Sequence, residues 1–183
     1  MSGMQATPPH TAERCQLLLE RWRCQLQLSA RERGLLAGEL QLLDRQLQRL
    51  QQRCLRIALF GRVGVGKSSL INALIQRQLL ETDVTHGSTR RQQAVDWPVE
   101  IPGLTRVELV DTPGIDEIDA AGRARLAARV AMGADLVLLV VDSDLTRADL
   151  EALSTLLESG KPLQLVLNRS DRWPEQELSL IHI

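Results

Sequence analysis

The stretch Gly61-Arg62-Val63-Gly64-Val65-Gly66-Lys67-Ser68-Ser69 decides the fold. It fits G-x-x-x-x-G-K-[ST] in full. An apolar run, Leu55-Arg56-Ile57-Ala58-Leu59-Phe60, precedes it, and a helical pattern, Leu70-Ile71-Asn72-Ala73-Leu74-Ile75, follows. Strand, glycine-rich loop and helix in that order are the setting a phosphate-binding loop requires. The glycines let the backbone turn tightly, so successive N–H groups can point at phosphate oxygens. The helix N-terminus adds its partial positive charge. In such a loop Lys67 reaches the outer phosphates and the Ser68 hydroxyl sits on Mg²⁺. Of the 22 Lys and Arg residues only Lys67 and Lys161 are lysine, so a lysine at this position is less of an accident of composition.

Upstream of the loop, residues 1–11 are small, polar and proline-bearing and read as a disordered tail. They lack the positive stretch and apolar core of a signal peptide. Residues 12–53 hold no proline and carry Leu, Gln, Arg and Glu at helical spacing. Leu36, Leu40, Leu43, Leu47 and Leu50 form an a/d seam, and its register runs back through Arg33, Ser29, Leu26, Trp22 and Leu19. The seam weakens around Ser29–Gly38, where Gly34 and Gly38 also lower helix propensity. The pattern predicts two helices or one long broken helix. Such an extension either packs on its own domain or forms a short coiled coil with a second chain.

Downstream, strands and helices alternate. The spacing predicts a strand over 55–60, a helix over 67–78, a polar loop over 79–91 and an edge strand over 93–99 with Pro98 near its end. A further strand over 105–110 is followed by a helix over 118–131. The near-continuous Val/Leu run over 135–141 reads as a parallel strand buried on both faces. A helix over 145–159 and another buried strand over 162–167 complete the series. This is a three-layer α/β sandwich with a mostly parallel sheet, the P-loop NTPase class, preceded by a helical extension. Its ligand belongs at the carboxyl ends of the strands.

Two further motifs lie at such strand ends. Asp111-Thr112-Pro113-Gly114 comes 44 residues after Lys67. An acid there can hold Mg²⁺, usually through water, and Gly114 lets its N–H approach a γ-phosphate. Asn168-Arg169-Ser170-Asp171 ends the last strand. The Asp171 carboxylate can accept from guanine N1–H and N2–H₂, a donor pair adenine lacks. Asn168 can bridge base and loop. Arg169 stands where this motif usually has Lys, and its aliphatic stem can cover the base in the same way.

From Leu55 to Asp171 the chain resembles the G domain of an Era-like (TrmE–Era–EngA class) small GTPase. The resemblance implies binding of GTP and GDP with Mg²⁺, hydrolysis to GDP and phosphate, and a conformational switch over residues 80–91 and 114–120. It assigns Thr89, in Ser88-Thr89-Arg90 and 21 residues after Ser68, to the Mg²⁺ shell and γ-phosphate sensing. With Lys67 and Gly114, Thr89 makes the implied catalytic set; Ser68, Thr89 and Asp111 make the metal set. Two departures matter. Ile115 stands where Ras-like proteins carry a water-orienting Gln, and Gly64 stands where some relatives hold K⁺ with an Asn. Slow hydrolysis is expected, aided by a partner, a dimer contact or an arginine such as Arg90 or Arg91. The guanine-backing loop, strand and helix of the family do not follow Asp171. The G domain is therefore read as 54–177 and incomplete, and 178–183 as a non-native tail. The helical extension plus G domain is similar to bacterial GTPases with a membrane-associated C-terminal region.

Bulk composition agrees. Apolar residues are 44% and charged residues 25%, which are globular values. A net charge of −1 predicts no strong pull toward nucleic acid or anionic membrane. Residues 1–56 are basic, with nine Arg against five acids, which reads as a solvated helix face. Cys15, Cys24 and Cys54 have no metal-ligand spacing and imply a reducing, cytoplasmic compartment. The longest apolar run, Leu136 to Val141, is too short to span a membrane. A P-loop ATPase is the first rival, but it leaves Asp171 without a purpose. A guanine-nucleotide scaffold that does not hydrolyse is the second, and fits Ile115 and Gly64.

Overall fold

The computed structural model describes residues 11–80, 92–116 and 118–173. The chain divides into two compact units, Met1–Cys54 with Pro102–Thr105, and Leu55–Ile101 with Arg106–Ile183. The expected tails, and the loop carrying Ser88, Thr89, Arg90 and Arg91, lie largely or wholly outside the described residues.

The first unit is helical: α1 (Thr11–Gln25), α2 (Ala30–Leu35) and α3 (Ala37–Gln51). Three helices stand where the pattern predicts two or one. Ser29 starts α2 through a capping box, accepting from the Glu32 amide while the Glu32 carboxylate takes the Ser29 amide at 2.8 Å. Leu36 then serves as both the C-cap of α2 and the N-cap of α3. Its side chain offers no capping acceptor, and Gly34 and Gly38 flank it, so the helix breaks here. Arg53 with Glu13 at 3.2 Å and Arg23 with Asp44 at 2.9 Å join the two long helices in antiparallel fashion. Gln51 donates to Glu20 at 2.8 Å between them. Leu19, Leu26, Leu40, Leu43 and Leu47 lie on shielded faces. Trp22, which the extrapolated seam includes, is 51% exposed. The Thr105 hydroxyl donates to the Gln52 carbonyl and its amide to that of Arg53, tying Pro102–Thr105 to the end of α3.

The second unit is built on a five-stranded sheet of order β2-β3-β1-β4-β5. In chain order the elements are β1 (Cys54–Phe60), α4 (Lys67–Ile75), β2 (Gln93–Trp97), β3 (Arg106–Asp111), α5 (Ala120–Gly133), β4 (Leu136–Val141), α6 (Arg147–Glu158) and β5 (Leu163–Leu167). β4 runs parallel to β1, with Phe60 beside Leu139, and to β5, with Val141 beside Leu167. β2 is antiparallel to β3, with Trp97 beside Val107. The edge position of β2 agrees with its alternating pattern, and it stops at Trp97 because Pro98 follows.

The core explains why β1 and β4 read as apolar runs. Ala58, Phe60, Val137, Leu139 and Val141 pack with Ala127, Val130, Ala131, Ala152 and Leu156 of α5 and α6. The alternate residues Ile57, Leu59 and Val140 are buried as well, so both sheet faces are covered. β5 departs from this. The apolar run predicts a buried strand, but among the described residues it pairs only with β4, and Leu165 is 43% exposed. Helix α4 ends three residues before the expected 78, because Gln76 turns left-handed at φ 55° and closes on the Ala73 and Asn72 carbonyls. Among the described residues no helix is long and apolar enough to cross a membrane.

Candidate functional site

β1 lies where the strand order reverses, with β3 on one side and β4 on the other, and the loop after β1 opens at that carboxyl edge. Lys67 begins α4 and is only 7% exposed. Its amine donates to the carbonyls of Gly61 at 2.9 Å and Arg62 at 2.7 Å, so it is folded over the loop itself. Val65 is buried beneath the loop, and Ser69 lies exposed in the first turn of α4.

The end of β3 meets this loop. Asp111 is 1% exposed, and its Oδ2 accepts from the Ser68 hydroxyl at 2.5 Å. Thr112 is fully buried and its hydroxyl donates to the Leu59 carbonyl at 2.6 Å, fixing the turn to β1. Pro113 is half-buried. At Gly114 an added Cβ would fall 2.1 Å from Val63 Cγ2 and 2.7 Å from the Val63 nitrogen. Only glycine permits that approach. Ser68 and Asp111 are adjacent hard-oxygen donors, a set that suits Mg²⁺. No cluster of three or more His, Cys, Asp or Glu forms a separate metal site among the described residues. Mg²⁺ at this pair would complete its shell with phosphate oxygens and water.

The end of β5 reaches the loop from the other side. The Asn168 amide donates to the Val141 carbonyl at 2.7 Å, and its side-chain Nδ2 to the Val65 carbonyl at 2.8 Å. At Gly66, with φ +90°, a Cβ would sit 2.4 Å from that Nδ2. Arg169 holds a left-handed backbone, φ 56° and ψ 34°, and Asp171 follows in an exposed 3₁₀ turn, Ser170–Arg172. The structure thus brings Gly61–Ser69, Asp111–Gly114 and Asn168–Asp171 to one edge of the sheet. Thr89 falls outside the described residues.

Three residues with no part in the sequence motifs also belong to this edge, and a fourth, Asn72, holds the chain that follows α4. Asp116 accepts from the Val63 amide at 2.7 Å. Asp142, at the end of β4, faces both Arg62 and Arg169. Asp149 is wholly buried and lies 3.1 Å from Arg62 Nε. Asn72 accepts from the Leu79 and Leu80 amides and donates to the Leu80 carbonyl at 2.8 Å. Asp142 had a legible signal: like Asp111, it ends an apolar strand. The other three show no sequence pattern that sets them apart.

A glycine-rich loop at the switch point of a mostly parallel sheet, with an acid and an Asn-x-x-Asp turn at neighbouring strand ends, defines a phosphate-loop nucleotide-binding protein. Residues 56–169 match the family described as 50S ribosome-binding GTPase, and the chain belongs to that family. GTPase Der of Rhizobium johnstonii is 40% identical over 121 residues, which are 63% of this chain and 25% of that protein. The chain therefore spans about a quarter of the length of the curated relatives it matches. Among solved structures, an Era variant of Aquifex aeolicus bound to GDP and AlF4⁻ superposes with a TM-score of 0.58 at 25% identity, covering 70% of this chain and 46% of that one. NFeoB of S. thermophilus bound to mGMPPNP gives 0.52 at 25% identity, covering 67% and 46%.

Proposed function

We propose that this domain binds GTP and GDP with Mg²⁺, hydrolyses GTP slowly, and changes conformation with the state of the nucleotide. The observation that carries this reading is the Asn168 bridge to the Val65 carbonyl, which joins a guanine-type turn to a phosphate-binding loop. Lys67 exchanges its carbonyl partners for phosphate oxygens. The loop amides and the N-terminus of α4 receive the remaining charge. Ser68, Asp111 and Thr89 would hold the cation. Mg²⁺ held there would supply positive charge against the phosphoryl group being transferred. The Gly114 amide reads the γ-phosphate. Asn168 and Asp171 read guanine, and the stem of Arg169 lies along the base.

Slow hydrolysis follows from two positions. Ile115 is fully buried in the core cluster, so its side chain orients no water. Gly64 has no side chain with which to hold K⁺. A protein activator, or a second copy meeting through residues 12–53, would supply what these positions lack. In the longer protein the domain would work in the cytoplasm, with any membrane contact made by other parts of the chain.

Competition binding with GTP, GDP and ATP tests the base assignment; equal affinity for ATP would overturn it. Single-turnover phosphate release, with and without K⁺, tests the chemistry. A slow burst of phosphate that K⁺ leaves unchanged is expected. Binding with no release under any condition would make the domain a guanine-nucleotide scaffold.

A further inference from the structure

Asp142 serves two arginines at once. Its Oδ1 accepts from Arg62 Nη2 at 3.3 Å, and its Oδ2 from Arg169 Nη1 at 2.9 Å. One arginine belongs to the phosphate loop and the other to the Asn168–Asp171 turn. Arg62 is gripped further. Its Nη2 donates to the Ser143 hydroxyl at 2.8 Å, and its Nε lies 3.1 Å from the buried Asp149 carboxylate. Asp149 is itself fixed, accepting the Thr146 amide at 2.9 Å and hydroxyl at 2.7 Å in the capping box of α6. The side chain of Arg62 is thus an anchor to β4 and α6.

Arg169 needs such an anchor. A non-glycine residue in the left-handed region holds that conformation only where its surroundings enforce it. On the backbone side, the Asn168 amide is tied to β4 through Val141. On the side-chain side, only the Asp142 ion pair is seen among the described residues. Asp142, Arg62 and Arg169 are all partly shielded, at 20%, 21% and 33% exposure, so their charges interact more strongly than a surface pair. Without the carboxylate, two guanidinium groups would face each other with no charge between them.

We propose that Asp142 is a positioning residue of the nucleotide site: it locks Arg169, and with it the Asp171 turn, to the phosphate loop through Arg62. This rests on the guanine reading above. The phosphate-holding and base-reading halves are then ordered before nucleotide arrives, which lowers the ordering cost of binding. The arrangement also suits an arginine in the usual lysine position, because a planar guanidinium can share one carboxylate with another guanidinium.

The test compares GDP with IDP, which lacks the N2 amino group and so one of the two donors to Asp171. Equilibrium binding of both to the 183-residue chain is measured with Mg²⁺ for the native protein, Asp142→Asn, Arg169→Met, the double variant and Asp142→Glu. The native chain should prefer GDP. Asp142→Asn and Arg169→Met, which keeps an aliphatic stem along the base and loses only the charge, should each weaken GDP about tenfold and IDP by much less, because a loosened turn loses the N2 contact first. The double variant should be no weaker than either single one by more than about twofold. Asp142→Glu, which keeps the charge, should retain the native preference, and it carries the test if Asp142→Asn fails to fold. Parallel losses for GDP and IDP, or losses that multiply in the double variant, would overturn the proposal. A folded Asp142→Glu without the preference would do the same. A native chain that binds GDP and IDP equally overturns the guanine reading itself, whereas a native preference that survives in Asp142→Asn overturns this inference alone.

Discussion

Gly66 and Gly64 both lie in the left-handed region, at φ +90° and +77°, yet they face different neighbours. A methyl on Gly66 would displace the Asn168 amide, whereas on Gly64 it would meet nothing within 4 Å. Gly64→Ala should therefore cost only backbone strain, about 1–2 kcal/mol of stability in urea titration. Gly66→Ala should carry the same strain and also abolish GDP binding, because it severs the tie between loop and base-reading turn. Asp116 makes a second residue-scale prediction. Its carboxylate occupies the Val63 amide, beside Gly114, where a γ-phosphate would bring further negative charge. Asp116→Asn should raise affinity for a non-hydrolysable GTP analogue relative to GDP by about three- to tenfold. An unchanged ratio in calorimetric titration would show that the carboxylate moves aside freely. At this scale the motifs told which residues meet. They could not tell of Asp116, Asp149 or Asn72, because a single polar residue in a loop or helix has no period.

The helical elements of the first unit are held by exposed pairs with a defined pH response. The Arg23 guanidinium hydrogen-bonded to Asp44 holds that carboxyl below its ordinary value of 3.8. The Gln51 and Gln16 amides lower Glu20, and the Ser29 cap lowers Glu32, both from 4.5. A carboxyl depressed in the folded state adds stability above its unfolded pKa and loses it as pH falls through the folded value. Acid from about pH 5 to below 4 should thus loosen α1 from α3 and fray α2. Asp44→Asn should flatten part of the fall in melting temperature over that range; an identical fall would remove the pair from the account. Element existence was legible here, and helix number was not. The a/d pattern showed a helical surface but could not say that Leu36 starts a new helix. Nor could alternation reveal that β5 is an edge, since an apolar run looks the same whether one neighbour covers it or two. In α4, the strong propensity of Leu70–Ile75 gave the helix, while its early stop depends on Gln76 accepting a left-handed turn.

For the whole molecule, ligand binding and folding are linked. GDP with Mg²⁺ at a hundred times its dissociation constant should stabilise the nucleotide-binding unit by about 2.7 kcal/mol, visible as a rise in melting temperature. ATP at the same concentration should leave it unmoved. The element order of the nucleotide-binding unit was readable because each strand from β1 to β5 finishes on or just before a punctuation residue, and three of those ends carry the motifs. The first unit was less readable, because amphipathic helices can close on themselves or on another chain with the same pattern. One buried amine has a practical consequence. With Lys67 folded onto the Gly61 and Arg62 carbonyls and Lys161 the only other lysine, the chain has almost no primary amines. An acylating reagent should therefore label Lys161 faster than the buried Lys67. GDP should slow the reaction at Lys67 further, so that mass spectrometry of one peptide becomes a direct gauge of site occupancy.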